Sequence, residues 1–200
     1  MKLIIGLGNP GEAHTKTRHN LGFLVVDGLV KKLMVNGKWS MVNKLKSEIF
    51  EANYEQSTVN HKLILAKPQT YMNNSGMAVK LLVDYYKISP EDVIIIHDEL
   101  DLPLGKIKVR RGGAAAGHHG VESIIKSLND DKFIRVRLGI GNLKTQSAEH
   151  GTQHIDTNHF VLEPFMASEK SKLKHMLKQA VQAVELVINE GLEKAQNQFN

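Results

Sequence analysis

The chain has 200 residues, 42% of them hydrophobic and 24% charged, with a formal net charge of +5. That length and balance fit one globular domain with a sizeable core and exclude a disordered chain. No cysteine is present, which excludes disulfides and thiolate zinc centres, and no apolar run approaches the ~20 residues that span a bilayer.

The predicted elements alternate between two periods. Lys2–Ile5 is short and apolar, ends on a Gly/Asn/Pro turn, and reads as a buried strand. From Leu21, apolar residues recur at helical spacing through Leu24, Val25, Gly28, Leu29 and Leu33, with Asn20 as the expected N-cap. Glu48–Tyr54 and Lys62–Ala66 alternate as paired strands would, and Ser75–Lys87 reads as a helix. Val93–Ile96 is β-branched and continuous, the pattern of a strand buried on both faces. Residues 112–120 form a Gly/Ala-rich loop leading into a helix near Val121–Leu128. Phe133–Ile140 alternates as a half-buried strand, residues 142–158 read as a polar loop or mobile lid, and Ser168–Ile188 as a long helix. This order predicts a single α/β domain: a twisted, mixed, mostly parallel central sheet flanked by helices.

Gly6 to Gly11 match the dinucleotide pattern G-x-G-x-x-G. Such a loop offers backbone N–H groups to a pyrophosphate and runs directly into a helix. Here Pro10 removes one donor, and helical periodicity starts only at Leu21. The acidic residue expected about 20 positions on, Asp27, falls inside the helix rather than after a second strand. The loop therefore reads either as a plain tight turn or as a device that aims the amide of Asn9.

In open α/β sheets, sites form beyond the carboxyl ends of the strands. Asn9 follows the first strand, Met72 and Asn73 follow KLILAK, and His97 and Asp98 follow VIII. His19 precedes the first helix and can face the same edge. A histidine held by an aspartate is general-base machinery, because the carboxylate fixes the tautomer and the other ring nitrogen accepts a proton. Amides such as Asn9 and Asn73 can orient a water or donate to an oxyanion. With no cysteine and no G-x-S-x-G elbow, attack by water on an ester fits better than a covalent intermediate. Each residue alone also suits a cap, turn or packing role.

GLGNPG, TRHNLGF, QTYMNNSG and HDELDLPLG, in that order, resemble the bacterial peptidyl-tRNA hydrolase family, and the likeness runs to the C-terminal GLEKAQNQF. The resemblance implies hydrolysis of the ester joining a peptide, or another N-blocked aminoacyl group, to the terminal ribose of tRNA. It implies His19 as catalytic base, Asp98 as its support and Asn9 as the residue that distinguishes blocked from free aminoacyl groups. It places Tyr71, Met72 and Asn73 on the substrate and Lys108, Arg110 and Arg137 on the tRNA. It further implies a monomer that uses no metal or other cofactor and no obligate protein partner, while the absence of cysteine agrees with a reducing cytoplasm and the lack of a long apolar run with no membrane partner. The basic balance agrees, since Lys and Arg neutralise phosphates.

Two segments depart from the family pattern. His14 stands where the family usually carries Tyr, which puts one tRNA contact in doubt. In RRGGAAAGHHGVESI, Ala114, Ala115 and Ala116 replace Gly or His, and His119 replaces the substrate-binding Asn. Alanine restricts the backbone, so the loop is expected to be stiffer. These changes motivate a second reading, an RNA-binding paralogue with reduced or lost hydrolysis. The pairs His118/His119 and His150/His154 are candidate zinc ligands, but Gly151 argues against the helix the latter pair needs, and surface histidines are the simpler expectation.

Overall fold

A computed structural model describes residues 1–33, 38–56, 59–141 and 156–200. Seven strands form one sheet: β1 (Lys2–Gly6), β2 (Ser40–Val42), β3 (Ser47–Gln56), β4 (Val59–Pro68), β5 (Val93–Glu99), β6 (Ile107–Arg111) and β7 (Ile134–Gly139). Their order is β2-β3-β4-β1-β5-β7-β6. The four inner strands β4, β1, β5 and β7 are parallel, and β2–β3, β3–β4 and β6–β7 pair antiparallel. Helices α1 (Leu21–Leu33), α2 (Ser75–Tyr86), α3 (His119–Leu128), α4 (Thr157–Phe160), α5 (Lys170–Glu190) and α6 (Leu192–Phe199) complete the described chain.

Side-chain alternation along the strands divides the core in two. Ile4, Ile94, Ile96, Val136 and Leu138 pack with Val25 and Leu29 of α1 and with Val184 and Val187 of α5. Leu3, Ile5, Val93 and Ile95 pack on the other face with Val79 and Leu82 of α2 and Val121 and Ile124 of α3. A strand whose two faces are both covered must be apolar throughout, which is why KLII and VIII carry no polar residue in their centres.

The glycines of the first motif serve packing. A Cβ on Gly6 would meet the carbonyl oxygen of Gly22 at 2.2 Å, so glycine at both positions lets α1 lie directly on β1. Gly11 holds the turn at φ +98°, a conformation that favours glycine.

Several details differ from expectation. β2, β6 and α6 were not foreseen. Strand β7 is buried on both faces apart from Arg137, because the Arg135 guanidinium folds onto backbone carbonyls. Asn20 does not serve as a helix cap; its side chain turns back to residue 9. The expected lid over 142–158 lies outside the described residues up to 155, and its end forms the short helix α4.

Candidate active site

The carboxyl ends of the parallel strands open into a cleft of ≈ 520 Å³. The loop after β1 supplies Asn9, and the turn after β4 supplies Tyr71, Met72 and Asn73. The end of β5 supplies Asp98 and Glu99, and the entry to α3 supplies Ala116, Gly117, His118 and His119. Thr157, Asn158, Val161 and Leu162 close the remaining wall.

His19 sits in the short turn before α1, and its main chain is tied to that wall: its N–H donates to Val161 O at 2.9 Å. The neighbouring Arg18 is buried between the rings of Phe160 and Phe165 and donates to Glu169 at 2.8 Å. Residue 19 is thus anchored on both sides. Its Nδ1 meets both Asp98 oxygens, Oδ1 at 2.9 Å and Oδ2 at 3.0 Å. A carboxylate can only accept, so Nδ1 carries the proton and Nε2 is left as the basic lone pair. Burial works against the His19 imidazolium, yet the charge and hydrogen bond of Asp98 hold its pKa above the ordinary 6.5.

Asp98 is 1% exposed. It receives a second donor, His118 Nε2, at 3.1 Å. His118 Nδ1 accepts from Val121 N at 3.3 Å as the N-cap of α3, and this assigns the Nε2–H tautomer. Burial tends to raise the Asp98 pKa, but His19 and His118 together hold it well below the usual carboxylate range. In the sequence His118 suggests only a metal ligand. The cue to its role is a histidine placed where an α-helix needs a cap, facing a strand-end aspartate.

Asn9 is held by main-chain and side-chain bonds. Its Oδ1 accepts from Met72 N at 2.8 Å, so Nδ2 remains as the donor. Its own N–H is consumed by Asn20 Oδ1, and Pro10 has none, so two adjacent positions of the loop offer no amide to a pyrophosphate.

His19, Asp98 and His118 bring three ligand-type atoms within 4.8 Å of one another. Both imidazoles already direct an N–H at the carboxylate, so the group is arranged for proton chemistry, and a metal would have to displace those protons. His119 lies 3.8 Å from Glu122 instead of joining the trio, while His150 and His154 lie outside the described residues.

Of the residues expected on the substrate, Tyr71, Met72, Asn73 and His119 line the cleft, with Tyr71 62% exposed and Met72 buried. His14, Lys108, Arg110 and Arg137 do not. Lys108 and Arg110 face Arg137 and Arg135 across the β6–β7 pair. Arg137 is engaged by the cleft residue Glu99, Nε to Oε2 at 2.9 Å. His14 ends the turn Glu12–His14, half-buried. Of the loop alanines, Ala116 adopts φ +51°, so alanine there accepts the left-handed conformation that glycine would adopt freely.

The profile of a family described as peptidyl-tRNA hydrolase matches residues 3–200. A peptidyl-tRNA hydrolase of Thermoanaerobacter is 44% identical over 202 residues, with 100% of both chains covered. One from Thermodesulfovibrio yellowstonii is 41% identical, covering 100% of this chain and 99% of its own. The crystal structure of peptidyl-tRNA hydrolase from Acinetobacter baumannii superposes with a TM-score of 0.87 at 32% identity, over 100% of this chain and 94% of that one.

Proposed function

The chain belongs to the peptidyl-tRNA hydrolase family and is a hydrolase of peptidyl-tRNA, and we propose that His19 and Asp98 carry the reaction as a base and its support. His19 Nε2 takes a proton from water as the water oxygen bonds to the ester carbonyl carbon. Asp98 steadies the imidazolium that forms. When the intermediate collapses, the bond to the ribose oxygen breaks, and that oxygen receives the proton from His19. The products are a peptide carboxylic acid and tRNA with a free hydroxyl. Asn9 Nδ2 and the Asn73 amide donate to the substrate carbonyls or orient the water. Tyr71 offers an exposed ring for stacking on a base or a peptide side chain. Lys108, Arg110 and Arg137 meet tRNA phosphate, and His14 and His119 contact the substrate at its edges.

The observation that carries this reading is the pair of bonds from His19 Nδ1 to the buried Asp98 carboxylate, at the wall of an open cleft. The same bonds disfavour an RNA-binding paralogue without hydrolysis, which has no use for an assembled base. No proposed step calls for a cofactor. A cytoplasmic location follows from the substrate.

Incubation with N-acetyl-aminoacyl-tRNA and with unblocked aminoacyl-tRNA tests the reading. The blocked substrate is expected to be cleaved selectively, and His19→Ala to lower the rate by about 10²- to 10⁴-fold. Equal rates in His19→Ala and the unaltered enzyme overturn the assignment of the base. Binding without turnover favours the paralogue.

A further inference from the structure

Beside the catalytic pair lies a buried histidine that the mechanism does not use. His97 precedes Asp98 on β5 and is fully buried. Its Nδ1 lies 2.6 Å from the carbonyl oxygen of Asp98. A carbonyl only accepts, so Nδ1 carries the proton and Nε2 bears the lone pair. That Nε2 is buried with no partner among the described residues. The ring stands edge-on to His118, with centroids 4.7 Å apart and planes at 73°.

An orphaned buried lone pair is unfavourable, and an aromatic hydrocarbon ring would fill the same space without it. What histidine adds there is the Nδ1–H, and that proton goes to the main chain of the aspartate which supports the base. The two contacts of His97 therefore fall on the two groups that aim Asp98: its own peptide unit, and the His118 ring that donates to its Oδ1.

We propose that His97 is a positioning residue for the hydrolysis, its Nδ1–H fixing the peptide of Asp98 while its ring braces His118 in the orientation that donates to the carboxylate. This rests on the proposed roles of His19 and Asp98. The charged and titratable groups around it agree with a neutral ring. Burial and then His118 hold the His97 pKa well below its ordinary value, against an opposing pull from Asp98 and with the least push from Arg135. His97 thus stays a fixed donor while His19 cycles.

Two variants separate the contacts. His97→Phe keeps an aromatic ring against His118 but loses the donor. His97→Asn keeps a donor near the Nδ1 position and loses the ring. Each is expected to lower kcat about 10- to 100-fold with KM nearly unchanged, since misaimed groups act on the transition state more than on binding. His97→Asn combined with His118→Asn is expected to be no slower than His118→Asn alone, because the ring lost at position 97 acts only through the His118 imidazole. A wild-type kcat in His97→Phe, or effects that multiply in the double variant, overturns the proposal.

A ¹⁵N-histidine NMR spectrum provides a readout independent of turnover. His118 is expected as the Nε2–H tautomer in both proteins, with its ring signals shifted or exchange-broadened in His97→Asn, where the edge-on contact is gone. An unchanged His118 spectrum in that variant also overturns the bracing role. If the unaltered protein fails to cleave peptidyl-tRNA, the functional reading falls, while the His118 ring signals still decide what His97 does.

Discussion

Asn20 grips the main chain of Asn9 from both sides: its Oδ1 accepts from Asn9 N at 2.9 Å, and its Nδ2 donates to Asn9 O at 2.9 Å. This clamp, with the bond from Met72 N to Asn9 Oδ1, leaves Asn9 one amide donor of defined direction. Asn20→Asp keeps the acceptor and sets a lone pair against the Asn9 carbonyl. It is expected to destabilise the fold by about 1–3 kcal/mol and to lower kcat/KM more than stability alone explains. Urea unfolding and initial rates on N-acetyl-aminoacyl-tRNA measure both. A variant with unchanged kcat/KM removes Asn9 from the role assigned to it.

The His19–Asp98 pair gives activity and stability opposite pH dependences. The proposed mechanism uses the neutral imidazole, so kcat/KM is expected to rise with pH along a limb whose midpoint lies above 6.5. The folded pKa is raised, so the contribution of the pair to stability is complete below 6.5 and is lost as pH rises through the folded value. Asp98→Asn removes the charge that opposes burial. Its limb is expected below 6.5, on a plateau about 10³-fold lower. A pH–rate profile of both proteins decides it, and a limb that stays in place in Asp98→Asn excludes His19 as its origin.

How far the site could be read beforehand depended on how local its causes were. β1, β5 and α1 announce themselves because apolar strings and a helical period are properties of the segment alone. Asn9, His19 and Asp98 were legible because strand ends of a parallel sheet share one edge. His118 was not, since its part depends on a carboxylate 20 positions earlier in the chain and on the tautomer imposed by Val121 N. Asn20 looked like a cap because Asn commonly starts helices, and only the fold shows Asn9 beside it. Arg135 looked half-exposed in an alternating strand. It is buried because its guanidinium finds the carbonyls of Gly112, Gly113 and Ala114, and no pattern in β7 announces those acceptors. β6 is short and basic, and its apolar face is covered by α6, itself unforeseen; Asn200, just beyond α6, bonds Val109 N and O with its side chain.

Arg135 also governs the approach to α3. Burial, then Arg110 and Arg137, lower its pKa to about 10, so it remains charged at neutral pH. Arg135→Met leaves the three carbonyls without their donor and is expected to cost on the order of 3 kcal/mol. Because the loop from Gly112 leads to His118, kcat should fall as well. Thermal unfolding and turnover of this variant check the two effects. Full stability would show that solvent replaces the guanidinium.

His119 is 63% exposed by its side chain and lines the cleft. An imidazole offers one donor and one acceptor on opposite edges, whereas an amide presents both on one side. His119→Asn is therefore expected to raise kcat/KM on peptidyl-tRNA a few-fold without altering unfolding. Unchanged or lower kcat/KM counts against a substrate contact at this position.

Salt separates the cations proposed to meet tRNA. Each phosphate neutralised by a free cation releases counterions, so affinity falls with the logarithm of salt, by a slope of about 0.9 per contact on duplex. Lys108 is exposed and carries its charge outward. Arg137 is already paired with buried Glu99, and its side chain is 14% exposed. Lys108→Ala should weaken tRNA binding and reduce the salt slope by about 1. Arg137→Ala should reduce the slope less, because part of its charge is neutralised before tRNA arrives, and it leaves Glu99 unpaired in the cleft, where the carboxylate repels the substrate phosphates. Binding of deacylated tRNA at several ionic strengths distinguishes the two. A larger slope change for Arg137→Ala than for Lys108→Ala would mean that tRNA draws Arg137 away from Glu99, a rearrangement the present pairing does not contain.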